Sequence, residues 1–492
     1  MAEKDITVDE LATFCKRKGF VFPSGELYGG LAGFWDFGPL GVELKNSIKR
    51  SWWKTFVHSR ADVVGMDGAI VTHPKVWEAS GHVAHFVDVA VVCKKCKQKS
   101  KIDKHEVGKA VCSNCGGELL VKGEFNPMFS TSVGAIKEEA LGAYLRPETA
   151  QLIFANFKSL TDVSRVRLPF GVAQQGKAFR NELSPREFIF RCREFEQMEL
   201  EYFISKGMVC PYMDELGDTE LQLYSSEMQE SGKEMKRMKL FDAWKSGVIK
   251  TDWHAYWLGQ MYFWFISLGA SPEKFRARQH LGTEKSHYAI DTWDLEYQFP
   301  MGWRELAGFA NRGDFDLKQH EKVSGKSLTM LDPVLGKVVP DVVCEPSLGV
   351  ERAFMVFLLD AYRYDSERES VVLELDPQLA PFKAGVFPLI SKGECLEIAK
   401  ELFRDLMDEF PVQFDVSGSI GRRYARADEQ GTPWCVTVDE DSVRDRAVTV
   451  RDRDTTKQIR VPISALRETI RDLLYDKVGF EDAGTPIETR KK

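Results

Sequence analysis

Between Val172 and Phe203 two runs of strand-like alternation enclose a polar turn, Ser184-Pro185-Arg186, and so spell an antiparallel hairpin. On its first arm Gln174, Gly176, Ala178 and Arg180 share one face. On the second, Arg193, Phe195, Gln197, Glu199 and Glu201 share a face, and Glu194, Glu196 and Met198 take the other. Arginines, an aromatic ring and several carboxylates on paired strands suit neither an apolar core nor a plain solvated surface. They suit a floor for a ligand carrying both phosphate and ammonium. The plainer alternative is a solvent-facing hairpin laced with cross-strand ion pairs.

A chain of 492 residues is too long for one ordinary core, so two or three domains are expected. Apolar residues at 43% and charged residues at 29% describe a soluble globular protein. The first twenty residues are polar and acidic without an apolar signal core, and the longest apolar run, Met261–Leu268, is too short for a bilayer; a cytosolic place is expected. A net charge of −7 argues against indiscriminate nucleic-acid binding but leaves room for a local basic surface.

Along the chain, Gly38-Pro39 opens a helix in which Leu44, Ile48, Trp52 and Phe56 recur every four residues. A strand-like run, residues 61–71, follows and ends at His73-Pro74; helix, strand and proline together suit either a dimer element or ordinary packing within the domain. Cys93-x-x-Cys96 and Cys112-x-x-Cys115 then make two knuckles of a four-thiolate zinc site. Four protein ligands leave no open position, so the metal expected is structural. Lys94, Lys95, Lys97, Lys99, Lys101 and Lys104 surround the first knuckle and read as a solvated face. Pro147 and Glu148 read as the first turn of a helix. Residues 204–286 read as a largely helical insertion whose aromatics belong to a core, and His254, His280 and His287 lack ligand spacing. Residues 328–339 read as a surface loop. From Val342 the chain reads as a strand, a Pro-Ser-x-Gly turn and a buried helix whose first turn carries Arg352; an arginine there calls for an anionic partner. A composition shift at residues 375–388 opens a separate α/β unit containing Arg422, Arg423, Tyr424 and Arg426, a cluster able to stack on bases and touch phosphate or simply to crowd a helix end. The last residues, 479–492, read as a disordered tail.

These motifs resemble the class II aminoacyl-tRNA synthetases. The helix–strand–Pro74 stretch is similar to that class's motif 1, Phe179-Arg180-Asn-Glu182 with Arg191-x-x-x-Phe195 to motif 2, and Gly349-Val-Glu-Arg352 to motif 3. The longer segments GFWDFGPLGVELKNSIKRSWW, VWEASGH, RPETAQ, FEQMELEYF and GWRELAGFANRGDFDL resemble the dimeric glycyl-tRNA synthetases. The resemblance implies an α+β fold: a catalytic domain over residues 1–374 built on a six-stranded antiparallel sheet, with a zinc-ribbon-like insertion at about 84–125, a helical insertion at about 204–286, and an anticodon-binding domain over 375–478.

It also implies ATP with Mg²⁺, glycine and tRNA(Gly) as partners, homodimerisation, and formation of glycyl-adenylate before transfer to the tRNA's terminal ribose. Arg180 and Arg352 would hold phosphates and Phe195 would stack on adenine; Glu182 and Glu305 would address ATP and its magnesium. The wider ATP set comprises Asn181, Phe190, Arg191, Cys192, Arg193, Glu194, Leu306, Gly349, Val350 and Glu351. Glycine falls to Glu148, Glu199 and Glu345 around its ammonium with Ser347 beside them, and to Lys101, Phe195, Glu196, Gln197, Met198, Pro346, Leu348 and Gly349. Here the resemblance overrules the capping reading of Glu148. Lys101 falls where relatives carry an arginine, which keeps the charge but loses the bidentate fork. Arg422, Arg423, Tyr424 and Arg426 would meet the anticodon. Two rivals are a class II enzyme for another amino acid and an inactive nucleic-acid-binding paralogue, which would lose the motif arginines.

Overall fold

The computed structural model describes residues 6–102, 107–112, 114–284 and 289–487; Lys104, Ser286, His287 and the end of the tail lie outside them. One nine-stranded sheet organises the N-terminal three quarters. Its strands in chain order are β1 (Val63–Met66), β2 (Phe170–Phe179), β3 (Glu194–Ile204), β4 (Glu220–Tyr224), β5 (Lys236–Lys239), β6 (Phe275–Gln279), β7 (Asp291–Phe299), β8 (Gly302–Asn311) and β9 (Asp341–Gly349). They lie side by side as β5-β4-β6-β7-β8-β9-β3-β2-β1. The middle six, β6 to β2, are antiparallel throughout, as expected. Parallel additions at the two edges, β1 on β2 and β4 on β6, widen the sheet.

The expected hairpin is β2 and β3, with Gln174 opposite Glu199, Gly176 opposite Gln197 and Ala178 opposite Phe195. Alternation sorts its faces. Met198, Leu200 and Tyr202 point to a core covered by helices α1 (Pro39–Trp53), α2 (Asp252–Ser267) and α4 (Val350–Ala361); helix α3 (Phe315–Ser324) lies toward the other face. Leu44, Ile48 and Trp52 of α1 are fully buried there, each contributing about 1.5–3 kcal/mol by leaving water. The opposite face, carrying Gln197, Glu199 and Glu201, stays polar although buried.

Several expectations need correction. The run over 61–71 is two strands in different sheets, β1 and Val71–Thr72, and Pro74 opens a short helix capped by the His73 side chain. The helix after Pro147 starts at Ala150, because Thr149 is turned toward Glu199 and cannot cap it. Residues 204–286 are no separable helical insertion. Their strand β6 belongs to the antiparallel six, β4 and β5 extend the main sheet beyond it, and α2, buried on nearly every side, is part of the shared core as its aromatics suggested. Alternation of buried Leu221 and Leu223 with polar neighbours drives that pairing. Residues 341–349 run as one strand through Pro346 and Ser347 without a turn. Met330–Asp332 and Gly336–Val338 close a small hairpin in the expected surface loop, with Leu331 and Val334 exposed.

The C-terminal unit has its own core and a six-stranded sheet. Its strands are β10 (Ala384–Pro388), β11 (Val412–Phe414), β12 (Trp434–Val438), β13 (Ala447–Asp452), β14 (Gln458–Pro462) and β15 (Thr485–Pro486), ordered β11-β10-β12-β13-β14-β15. Helices α5 (Gly393–Met407), α6 (Ile420–Gln430) and α7 (Leu466–Leu474) complete it. The expected disordered tail is corrected over its described part: Phe480 and Ala483 pack on this core, which lets β15 pair with β14.

Candidate active site

A cavity of about 270 Å³ opens over the N-terminal half of β3, the first half of β8 and the C-terminal end of β9. Arg180, just past β2, donates Nε to the Pro147 carbonyl at 2.9 Å and lies over the Phe195 ring at 5.5 Å. Its terminal nitrogens make no hydrogen bond among the described residues and face the cavity. Arg352, in the first turn of α4, has its expected anion: Nη1 lies 3.2 Å from Glu305 Oε1 and donates to the Glu305 carbonyl at 2.9 Å. The guanidinium sits 4.6 Å over Phe190. Arg352 beside it, against the opposing effect of burial, holds the Glu305 carboxyl below its ordinary range. Arg191 also lines the cavity. Two tethered guanidiniums, a third cation and aromatic faces provide electrostatics for a polyphosphate with an attached base. Glu182 and Glu305, both on the wall, form an oxygen donor set that suits a hard divalent cation. Lys101 reaches the same cavity, its ammonium 2.8 Å from Asp88 and 3.2 Å from Glu182.

Gln197 and Ser347 line this cavity too and join it to a buried carboxylate chamber. The Gln197 amide donates to Ser347 Oγ at 3.3 Å and to Glu199 at 3.5 Å. Glu199 accepts from the Thr149 backbone N–H at 3.1 Å and from its hydroxyl. Glu148 lies 3.2 Å from His82 Nε2 and accepts from Gln151 at 3.2 Å. Glu345 is gripped by Arg312, whose Nη1 lies 3.0 and 2.9 Å from its two oxygens. The rest of that guanidinium forms two bonds to Asp316, at 2.7 and 2.9 Å. Burial opposes ionisation throughout, with different outcomes. His82 and Arg312 hold Glu148 well below the carboxylate range, whereas burial, partly offset by Arg312 and reinforced by Glu199 and Glu148, raises Glu345 to about 8. Burial and the neighbouring Glu148 raise Glu199. A dry chamber rich in acid and poor in base is built for a small cation.

The expected site residues therefore separate. Arg180, Glu182, Phe190, Arg191, Cys192, Phe195, Glu305, Leu306, Gly349, Glu351 and Arg352 line the first cavity; Glu148, Glu199, Glu345, Gln197 and Ser347 gather at the second. Other assignments are corrected. Glu196 is held by Lys45 and Lys49 under α1, and Glu194 pairs with Lys177 at 2.8 Å, because even positions of β3 point away from the cavity. Met198 is fully buried in the core for the same reason, as are Leu348, its partner on β9, and Val350 at the start of α4 by their own placement. Arg193 is spent on the Glu182 and Ala32 carbonyls. Asn181 is exposed and does not line the cavity, while Pro346 is buried within β9. In the turn, Ser184 bonds the Lys99 carbonyl at 2.8 Å.

Sequence reasoning missed Arg312, Asp316, His82 and Gln151 as site residues. The i, i+4 pair Arg312–Asp316 was the available signal. Arg146 supports the floor: fully buried, it bonds the Lys177 and Gly68 carbonyls and passes so close to Gly176 that a Cβ there would lie 2.1 Å from its guanidinium.

The four cysteines converge as well. Their sulfurs lie within 4.8 Å of one another, with Cys93–Cys115 at 3.5 Å and Cys96–Cys112 at 3.6 Å. A tetrahedron of Zn–S bonds at about 2.3 Å needs sulfurs about 3.8 Å apart, so the set fits zinc. In the C-terminal unit the basic cluster is mostly committed, which corrects the idea of four free contacts. Arg423 is buried on the Pro388 and Asp415 carbonyls, Arg426 pairs with Asp415, and the Tyr424 ring is half-buried under Arg451. Arg422 alone of the four is exposed.

Residues 383–473 match the anticodon binding domain family. A glycine–tRNA ligase of Caldanaerobacter subterraneus subsp. tengcongensis is 42% identical, over 95% of this chain and 99% of that protein. The chain belongs to the glycine–tRNA ligase family. Other members give the same picture: that of Treponema denticola is 40% identical over 96% of this chain and 98% of its own, and that of Bifidobacterium longum 41% over 98% and 95%. Among solved structures, a prolyl-tRNA synthetase from Cryptosporidium parvum superposes with a TM-score of 0.58 at 16% identity, covering 95% of this chain and 77% of that one. The fold is thus that of the class II synthetases, α+β with a C-terminal anticodon-binding domain. Among the described residues no helix is long and apolar enough to cross a membrane.

Proposed function

We propose that the chain activates glycine with ATP and transfers the glycyl group to the terminal ribose of tRNA(Gly). One observation carries this reading: an arginine-lined cavity meets a buried carboxylate chamber through Gln197 and Ser347. The first suits ATP and the second a small ammonium, so the glycine carboxylate would meet the α-phosphate between them. Arg180 and Arg352 stabilise charge on the phosphates during in-line displacement; positioning and electrostatics suffice without a covalent nucleophile. Glu305, with Glu182, would hold Mg²⁺, which supplies charge neutralisation at the phosphates.

Glycine cannot win over alanine by attraction, since a methylene is worth only about 1–3 kcal/mol. Selection comes from crowding at the Cα, where Gln197, Ser347 and Glu199 stand close together. That crowding speaks against a larger amino acid, and the presence of Arg180, Glu305 and Arg352 speaks against an inactive paralogue. The cysteine site would hold one structural zinc within an insertion of a catalytic domain over residues 1–374. The unit at 375–478 would read the anticodon, in a cytoplasmic homodimer paired through α1, β1 and the half-exposed Ile70 and Val71. The test is ATP–pyrophosphate exchange with glycine, run beside alanine, serine, threonine and proline; no exchange with glycine sinks the assignment.

A further inference from the structure

The acid chamber holds one carboxylate to which neither the sequence motifs nor the proposed contacts give a role. Glu201 is fully buried, and both its side-chain oxygens lack a hydrogen-bond partner among the described residues. Register explains its setting. Glu199 pairs with Ser347 and Tyr202 with Cys344, so Glu201 stands directly opposite Glu345 on the same face of adjacent strands. Like charges in that relation repel even at a surface, and burial of both groups weakens the screening here. Oxygens of Glu199, Glu201 and Glu345 lie within 4.8 Å of one another. The guanidinium that grips Glu345, Arg312, is already divided between it and Asp316. Five carboxyl groups thus crowd around Arg312 and His82, with Arg146 acting on Glu199 and Arg180 on Glu148 from the margins, and an incoming ammonium adds a single positive charge.

We propose that Glu201 is carried as a neutral carboxylic acid whose O–H donates to Glu345 when the substrate ammonium holds that group as a carboxylate, making Glu201 a positioning residue that aims Glu345 at the ammonium. A small rotation about its last torsion closes the remaining gap. The proton stays on Glu201 throughout the reaction, so nothing is transferred. The groups facing it agree: Glu345 on β9, Glu199 on its own strand and Asp316 on α3 all disfavour a second negative charge, and Arg312 opposes them. Burial, the largest influence, and then Glu345 raise Glu201 well above the carboxylate range. This role rests on the glycine reading of the chamber.

Two measurements on the full-length protein test it. Infrared difference spectra of parent minus Glu201→Gln should contain a carboxylic-acid carbonyl band at neutral pH; its absence overturns the proposal whether or not glycine is the substrate. In glycine-dependent exchange, Glu201→Gln, isosteric with the neutral acid, should keep KM for glycine within about threefold, with the pH midpoint of that KM unmoved. Glu201→Leu, which lacks the donor, should raise KM about tenfold while Glu201→Gln does not. If Glu201→Gln raises KM by about tenfold, or moves the midpoint down by about a unit, then Glu201 is ionised and meets ammonium or another cation directly, and the proposal fails. Should Glu201→Leu not fold, the infrared band and the Glu201→Gln profile decide. A parent inactive with glycine but active with another amino acid removes the glycine reading and leaves the infrared result standing.

Discussion

Arg312 holds both oxygens of Glu345 with one nitrogen, at 3.0 and 2.9 Å, while its other two nitrogens bind Asp316 four residues along the chain. The guanidinium is the countercharge of an acid chamber that excludes water. Arg312→Leu should therefore cost about 3–5 kcal/mol, because it leaves buried carboxylates unpaired. Arg312→Lys should recover only part of that, since a point charge cannot serve two carboxylates as a fork does. Urea-unfolding midpoints of the two variants at neutral pH check both expectations, and equal stability for parent and Arg312→Leu would refute the countercharge role.

Arg180 is tethered at one nitrogen and makes no hydrogen bond from the other two among the described residues, so truncation removes charge from the cavity without disturbing a buried network. Arg180→Ala should lower glycine-dependent ATP–pyrophosphate exchange by about 10²-fold or more, with the unfolding midpoint within about 0.5 kcal/mol of the parent. Near-normal exchange would refute the phosphate role.

Much of this was legible in sequence, and the exceptions have physical causes. The hairpin could be read because alternation and turn chemistry agree over its whole length, and Arg352's need for an anion followed from its place in a helix's first turn. Strands β4 to β6 were hidden because each is only four or five residues long and rich in charged and polar residues. Arg312 was missed and Arg423 misjudged for a shared reason. A buried arginine and an exposed one have the same sequence signature, and only the carbonyls and carboxylates brought from elsewhere distinguish them. Even positions of β3 entered the ligand set by motif membership although their alternation already pointed them toward α1.

Glycine binding should depend on pH with a definite sign. Ammonium pairs with ionised Glu345, which burial raises to about 8, so affinity should rise from pH 6 toward that value and glycine binding should release a proton. Stability moves the other way. Between the ordinary value of 4.5 and about 8 the native state holds a proton that the unfolded chain has lost, so Glu345's contribution declines as pH rises through this window. Glu148, held low, behaves oppositely, and its contribution is lost as pH falls below 4.5. Urea melts of parent and Glu345→Gln at pH 5.5 and 7.5 check the sign: the parent should lose more stability between them.

Purified protein should contain about one equivalent of zinc per chain, bound by the four thiolates. Chelation should unfold the surrounding ribbon more than the main sheet, because strand Asp88–Cys93 pairs only with Lys99–Ile102 and Leu119–Phe125 in a small sheet of its own. Lys101 rides on that sheet and reaches the ATP cavity, so metal loss should also raise KM for ATP or glycine. Metal-free protein with an unchanged KM would separate the zinc site from the reaction.

The last prediction concerns the basic helix of the C-terminal unit, where four residues of similar appearance have different work. Arg423 is buried and bonds the carbonyls of Pro388 and Asp415, so Arg423→Ala leaves buried acceptors unpaired and should destabilise this unit by about 1–3 kcal/mol. Arg422 is exposed, and truncating it should hardly change stability. If this helix meets the anticodon stem-loop, Arg422→Ala should lower kcat/KM for tRNA charging and flatten its salt dependence, since one phosphate contact fewer releases one counterion fewer. Glycine-dependent exchange, which needs no tRNA, should stay at the parent level. Parent-like charging by Arg422→Ala across a salt series would move the tRNA contact elsewhere on this unit.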